Sequence, residues 1–308
     1  MSAPRIAVAL RRWLDAGAEA APHVRADAQR IDWPRVAPFV ALHVSCFGAL
    51  WTGASAVAVA VAAALFALRM FAITAFYHRY FSHRAFGTSR AGQFVFAVIA
   101  ASAAQRGPLW WASHHRHHHA HADREGDSHS ARERGFLWSH VGWFLARGNF
   151  ATRLERVPDL AGYPELRWLD RFDVAVPALL AVALYAVGGC LEGAAPSLGT
   201  TGAQLVVWGF CISTVALYHA TFTINSLAHR FGTRRYETRD DSRNNVWLAL
   251  LTFGEGWHNN HHRFPGAARQ GLRWWEVDVT YYGLVALAAL GVIRDLRAPP
   301  AEALGDGR

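Results

Sequence analysis

Lysine is absent from all 308 residues, so the formal charge of +8 at neutral pH is carried by arginine alone. No nucleic-acid-binding motif accompanies that charge, which argues against a nucleic-acid partner. Cysteine is scarce. Cys46, Cys190 and Cys211 sit in apolar stretches without paired spacing, which excludes a disulfide framework or thiolate metal site and predicts buried thiols. Neither an HPGG haem motif nor a GxGxxG dinucleotide fingerprint occurs, so a redox reaction here needs a separate electron donor. The opening "MSAPRIAVALRRWLDAG" has too short an apolar core, with arginines on the wrong side, for a cleavable signal peptide. It predicts a short amphipathic helix on a membrane surface.

Apolar residues are plentiful: 52% of the chain is hydrophobic and 13 residues are tryptophan, which suggests membrane residence. Four apolar runs, Val36–Trp51, Ser55–Phe76, Val174–Leu191 and Ala203–Ile224, are candidate spanning helices. Phe94–Ala104 and Tyr281–Ile293 are too short to span and predict re-entrant or surface helices. The arginine-rich segments are the N-terminal arm, 77–172 and everything after Asn225, while the connections 52–54 and 192–202 contain no arginine. Two hairpins with both termini cytoplasmic satisfy that asymmetry, and the arginines then face an anionic leaflet. Arg69, His43 and His219 fall inside spanning runs, where snorkelling or internal hydrogen bonds are expected.

Histidine is concentrated. "SHHRHHHAHAD" holds six histidines in eleven residues. Within it His115, His118 and His119 have i, i+3, i+4 spacing and share one helix face, from which His117 points away. "EGWHNNHHRFP" repeats that spacing about 140 residues later with His258, His261 and His262. "HRYFSH" places His78 and His83 where the second span ends, and "NSLAH" places Asn225 and His229 one turn apart where the fourth ends. A solvated His-rich tail explains the first tract poorly and the other three not at all. Neutral imidazoles ligate iron, zinc or copper, and clusters on shared faces can hold two ions close together.

In that order and at those intervals, "HRYFSH", "HRHHH", "NSLAH" and "EGWHNNHH", with "DREGDSHSARERGFLWSHVGWFLARG" after the second, resemble the membrane fatty-acid desaturases of the stearoyl-CoA desaturase type. The likeness covers roughly residues 68–296. It implies an all-α integral membrane fold: a four-helix transmembrane bundle under a cytosolic helical cap that holds a His-rich dimetal site. The desaturase domain would occupy 36–296, after an interfacial segment 1–35 and before a tail 297–308. The likeness also implies two iron ions, held by His78, His83, His115, His118, His119, His229, His258, His261 and His262. Asn225 falls where the family holds a metal through water. His114, His121, His129 and His140 are expected around this shell or at the surface, and Asp123, Asp127 and Glu255 are candidates to orient the imidazoles.

The reaction so implied is O2-dependent insertion of a cis double bond into a saturated acyl chain. Removing hydrogen from an unactivated methylene needs a metal-derived oxidant, and the protein supplies binding and orientation. The donor would be a ferredoxin, cytochrome or flavoprotein, and the substrate a fatty acyl-CoA or an acyl chain in a lipid. Trp110, Trp111 and Phe222 are expected to line an acyl tunnel, with Thr221 and Thr223 nearby. Animal acyl-CoA desaturases carry "QNDVYEWARDH" before the second box, where this chain reads "QRGPLWWASHH". Gln105 and Trp111 are kept, while Arg106, Ser113 and His114 replace an asparagine, an arginine and an aspartate. Arg106 is a candidate phosphate partner, and acyl-CoA is the favoured substrate on that basis. Two other readings are a His-box hydroxylase of an alkane, sterol or carotenoid, and a metal transporter. The absence of acidic residues in the apolar runs weighs against the transporter.

Overall fold

The computed structural model describes residues 11–17 and 28–304; most of the predicted N-terminal amphipathic helix lies outside them. Among the described residues there is no β-strand, and four helices are long and apolar enough to cross a membrane. They are α1 (Trp33–Thr52), α2 (Ala56–Ser82), α6 (Ala175–Ala194) and α7 (Gly202–Ser226). Between them lie α3 (Arg90–Ala101), α4 (Pro108–His121) and α5 (Pro164–Arg171). The chain continues through α8 (His258–Arg263) and α9 (Val279–Ala289). The two short predicted helices are present as α3 and α9.

Local chemistry sets the boundaries. Ser55 caps α2 by accepting from the Ala58 N–H at 3.1 Å, and Ser89 caps α3 through Gly92 at 3.0 Å. Pro108 opens α4 at a position that needs no intrahelical donor. Gly107 just before it is required sterically, since a Cβ there would sit 2.4 Å from the Asp170 Cα. In the bundle, α6 and α7 approach closely where a Cβ on Gly188 would lie 2.6 Å from the Gly202 Cα.

The two short connections meet at one end of the bundle. Gln204 Nε2 donates to the Thr52 carbonyl (2.8 Å), Trp208 Nε1 to that of Gly53 (2.9 Å), and the Ser55 and Thr200 hydroxyls are 2.8 Å apart. The cap gathers at the opposite end. There α2 runs beyond the predicted Phe76 boundary without a break, as a wider-wound segment over Ile73–Ser82. At about 100° per residue, positions five apart on an α-helix diverge by about 140°. A turn closed by the His83 N–H on the His78 carbonyl (3.2 Å) brings them back to one side.

Arg69 is fully buried in α2 and held by internal hydrogen bonds, one of the two outcomes expected for it. It donates to the Ser213 and Thr214 hydroxyls (both 2.6 Å) and to the carbonyls of Leu65 (3.1 Å), Ser102 and Gly209 (both 3.4 Å). His43 is likewise bonded internally, to the Phe39 carbonyl (2.8 Å) and His219 (3.2 Å). The expectation of three buried thiols needs correcting. Cys211 is buried and Cys46 half-buried, but Cys190 is exposed on α6.

Replacing Arg69 with leucine strands several buried oxygens, and the melting temperature in detergent should fall by an amount equivalent to about 3 kcal/mol. Arg69→Lys should restore only part of this, because an ammonium offers three donors where the guanidinium uses five contacts. A leucine variant as stable as the parent would show that these oxygens do not depend on Arg69.

Candidate metal centre

The histidines converge from α2, α4, α8 and the turn after α7. His78, His83, His115, His119 and His261 form one group, each offering one ring nitrogen, and these nitrogens lie within 4.8 Å of one another. His118, His229, His258 and His262 form a second group by the same measure. All nine predicted imidazoles are thus brought together, divided five and four, and α4 and α8 each contribute to both groups. His118 also lies close to Asp127 and His129.

In the first group five Nε2 atoms form a chain of four contacts: His83–His115 at 2.8 Å, His115–His119 at 3.0 Å, His119–His261 at 2.9 Å and His261–His78 at 3.0 Å. A neutral imidazole nitrogen either donates or accepts, so at most two of these contacts are proper hydrogen bonds. The others bring together nitrogens that have no proton to share between them. Spacings of about 3 Å are those of neighbouring ligands about 2.1 Å from a shared ion at a right angle. In the second group His229 Nε2 is 3.0 Å from His258 Nε2. The Nε2 atoms of His118 and His262 are buried without a hydrogen-bond partner among the described residues. Both groups fit a cation.

The second ring nitrogen of many of these imidazoles is held in place. His118 Nδ1 faces Asp127 (3.1 Å), His229 Nδ1 faces Asp123 (2.7 Å) and His262 Nδ1 faces Asp240 (3.0 Å). His78 Nδ1 contacts Glu255, and His261 Nδ1 lies 3.3 Å from Gln270 Nε2. A carboxylate that accepts Nδ1–H turns the Nε2 lone pair inward. Asp123, Asp127 and Glu255 do what the sequence suggested. Asp240 and Gln270 were not anticipated: "RDDS" offers no spacing that ties it to a histidine 22 residues on.

Supporting contacts fix these carboxylates. Arg79, fully buried, binds Glu255 (3.1 Å) and both oxygens of Asp278 (2.9 and 3.1 Å). Asp278 also caps α9 by accepting from Tyr281 N–H at 2.9 Å. Asn244 Oδ1 accepts from the Asn259 and Asn260 N–H groups (3.0 and 3.1 Å), satisfying the first turn of α8. Asp123 has φ of 56°, a left-handed conformation that aspartate tolerates, and also takes the Asp241 N–H at 2.9 Å.

Burial dominates the electrostatics. It holds His83, His115, His119, His258 and His261 well below the ordinary imidazole range, and neighbouring imidazoles add to the effect. His262 is lowered to about 4 by burial, against the opposing pull of Asp240. His118 is also buried, but Asp127, Asp123 and Asp240 outweigh burial and raise it. The shell is therefore mostly neutral and able to donate lone pairs.

An apolar cavity of about 370 Å³ leads to this shell. It reaches His78, His115, His118 and His258, and its walls include Trp110, Trp111, Phe222, Gln105, Thr221, Arg106 and Asn225. Gln105 Nε2 donates to Thr221 Oγ1 (2.9 Å), and Trp111 stacks on His115 at 4.9 Å. Thr223 is not among the lining residues; its hydroxyl donates to the Ala220 carbonyl at 2.6 Å. Arg106 lines the cavity but is already engaged, with Asp173 at 3.1 Å and the Phe150 carbonyl at 2.8 Å. Its Nε is buried without a hydrogen-bond partner among the described residues. His117 binds the Gly126 carbonyl at 2.9 Å, away from the shell, as expected. His121 binds the His117 carbonyl, His140 binds Ser226, and His114 and His129 are buried beside Trp143.

Residues 28–289 match the sequence profile of the fatty acid desaturase family. A sn-1 stearoyl-lipid 9-desaturase of Anabaena variabilis is 35% identical over 87% of this chain and 94% of its own length. A sn-2 palmitoyl-lipid 9-desaturase of Nostoc is 37% identical over 70% of this chain and 72% of its own. The chain spans about half, 53%, of a chloroplastic palmitoyl-monogalactosyldiacylglycerol delta-7 desaturase of Arabidopsis thaliana, with 39% identity over 67% of this chain. With its four apolar spanning helices and paired histidine groups, the chain belongs to the fatty acid desaturase family.

Proposed function

We propose that the protein is an O2-dependent desaturase that inserts a cis double bond into a saturated acyl chain of a membrane lipid. The observation that carries this reading is the meeting of two imidazole groups with an apolar cavity between spanning helices. Two iron ions fit the all-nitrogen shells, and when bound they supply the O2-derived oxidant that no side chain provides. Electrons come from a separate protein, and the histidine end of the bundle faces the cytoplasm.

The residues do the rest. Asp123, Asp127, Asp240 and Glu255 fix imidazole orientation, and Trp110, Trp111 and Phe222 exclude water from the acyl path. Asn225 borders the cavity near His118 and His258, where it can hold a water. Support for a lipid-linked substrate, over the acyl-CoA favoured from the sequence, comes from the engagement of Arg106 with Asp173 and the loss of a second arginine at Ser113. The extensive match to a stearoyl-lipid desaturase points the same way.

Expression in a desaturase-deficient bacterium, followed by fatty-acid profiling of intact lipids, should yield a new monoene in the glycerolipid fraction. A hydroxylated chain would sink the desaturation step. Conversion of acyl-CoA alone would sink the lipid assignment.

The purified protein should carry two irons, and His118→Ala, His229→Ala or His261→Ala should each abolish turnover and lower iron content while leaving helicity intact. Asn225→Ala should be milder, because another water can replace a water-mediated contact. Asp240→Asn should weaken metal affinity by about 10–100-fold through the misoriented His262. Full iron content in the His229 variant would remove the turn after α7 from the shell.

Acid should destabilise the metal-free protein. Unfolded imidazoles take protons near 6.5, while the buried ones are held well below that value. The unfolded state therefore binds more protons as pH falls, and stability present above about 6.5 is lost below it. Melting temperatures measured between about pH 7.5 and about pH 5 should fall, with iron retention falling in parallel. A flat profile would mean that these imidazoles are not buried neutral.

A further inference from the structure

Three histidines outside the metal shells form a separate hydrogen-bonded row. His43 Nδ1 meets the Phe39 carbonyl at 2.8 Å, and its Nε2 meets His219 Nε2 at 3.2 Å. His219 Nδ1 meets His140 Nε2 at 3.0 Å, and His140 Nδ1 meets Ser226 Oγ at 3.0 Å. Ser226 Oγ then reaches the Phe222 carbonyl at 3.0 Å. These five links run between two carbonyl oxygens, neither of which can donate. Each link needs one proton, but three neutral imidazoles and one hydroxyl bring only four. One added proton completes the row.

The row lies across a seam. His43 on α1 and His140 belong to elements joined by main-chain bonds, Asp32 N–H to the Leu145 carbonyl (3.0 Å) and Arg147 N–H to that of Arg30 (2.9 Å). His219 and Ser226 belong to α7, so three of the five links cross from one body to the other. Beneath the row the seam is apolar. Phe39 packs on Phe144 (5.6 Å) and Tyr218 (5.8 Å), and Phe144 on Phe222 (4.9 Å). All four rings line the cavity. On the outside, His219 is exposed, and Val36 is the sole buried residue of α1. The far end of α1 is held by the contacts of Thr52 and Gly53 with Gln204 and Trp208.

We infer that the seam between α1 and α7 is a proton-fastened side door to the cavity, through which an acyl chain already in the bilayer enters. The door rests on the lipid-desaturase reading for its substrate, whereas its fastening does not. A chain esterified to a lipid cannot leave the bilayer cheaply, and a lateral opening spares it that step. With the extra proton the row is complete and the rings close over the cavity. Without it one link is missing, and the bodies are held by the remaining links, by the Ser139 hydroxyl donating to the Asn225 carbonyl (2.6 Å), and by apolar contact that a lipid tail can replace.

No carboxylate or guanidinium among the described residues acts on His140 or His219. The other ionisable groups on the packed elements are the Arg35 guanidinium on α1, the Arg69 guanidinium on α2, the Cys46 and Cys211 thiols, and the Tyr218 phenol, which donates to the Ala104 carbonyl. Burial, and then the neighbouring His219, lowers the pKa of His140, so the proton is gained on the acid side.

The test places nitroxides at Val44 and Ala216, both exposed, in protein whose three native cysteines are replaced by alanine, within phosphatidylglycerol nanodiscs. The distance distribution should be narrow near about pH 5 and gain a longer component near about pH 8.5. His219→Phe should keep the broad form at both values while retaining its iron at the higher one. In parallel, phosphatidylglycerol with a mid-chain diazirine should label Phe39, Phe144 or Phe222 several-fold more at the higher pH, and at both values in His219→Phe. A distribution indifferent to pH in the parent, or the same response in His219→Phe, overturns the fastening. Labelling that ignores both pH and the substitution overturns the door. Failure of the desaturase reading would appear separately, as absence of any monoene from protein whose seam still responds.

Discussion

An imidazole has two nitrogens, and it presents a lone pair at one only when the proton is kept at the other. The centre depends on that constraint. Asp123, Asp127, Asp240 and Glu255 each take the outer nitrogen of one histidine, so the inner nitrogens of His229, His118, His262 and His78 are left as acceptors. Such an arrangement is unfavourable without a cation: buried ring nitrogens face each other at about hydrogen-bond distance, and burial discourages the protons that would separate them. The shell is built for an ion, and the surrounding fold keeps it from relaxing.

That rigidity comes from buried charge. Arg79 joins α2 to Glu255 and Asp278, so the span carrying His78, the turn before α8 and the start of α9 share one guanidinium. A buried ion pair of this kind is costly to desolvate but very costly to break, which makes it a better fixer of geometry than a source of stability. Arg69 has a similar part deeper in the bundle with neutral oxygens in place of carboxylates.

Much of this was legible in the residues. The i, i+3, i+4 spacing of His115, His118 and His119, repeated by His258, His261 and His262, announced shared helix faces. The arginine-free connections announced two hairpins. What the spacing left open was which histidines group together. Helices α4 and α8 each feed both groups, so the division into five and four depends on how they cross, a tertiary fact. Asp240 was invisible because it reaches His262 through a loop with no periodic signal. The outward placement of Cys190 was missed because an apolar run does not reveal which face meets lipid and which meets protein. Arg106 looked free in the sequence, and only packing shows it bound to Asp173.

Helix α2 runs from Ala56 to Ser82 without interruption, about 40 Å at the rise of an α-helix, and its last turns carry His78. The part that sits in the bilayer and the part that carries an imidazole are therefore one rod. The distance of the His78 imidazole from the apolar part of the span is then a length built into the helix. Adding or removing a turn anywhere between Ala56 and His78 would shift that imidazole relative to its eight partners, so the span is tied to the centre in length as well as in sequence.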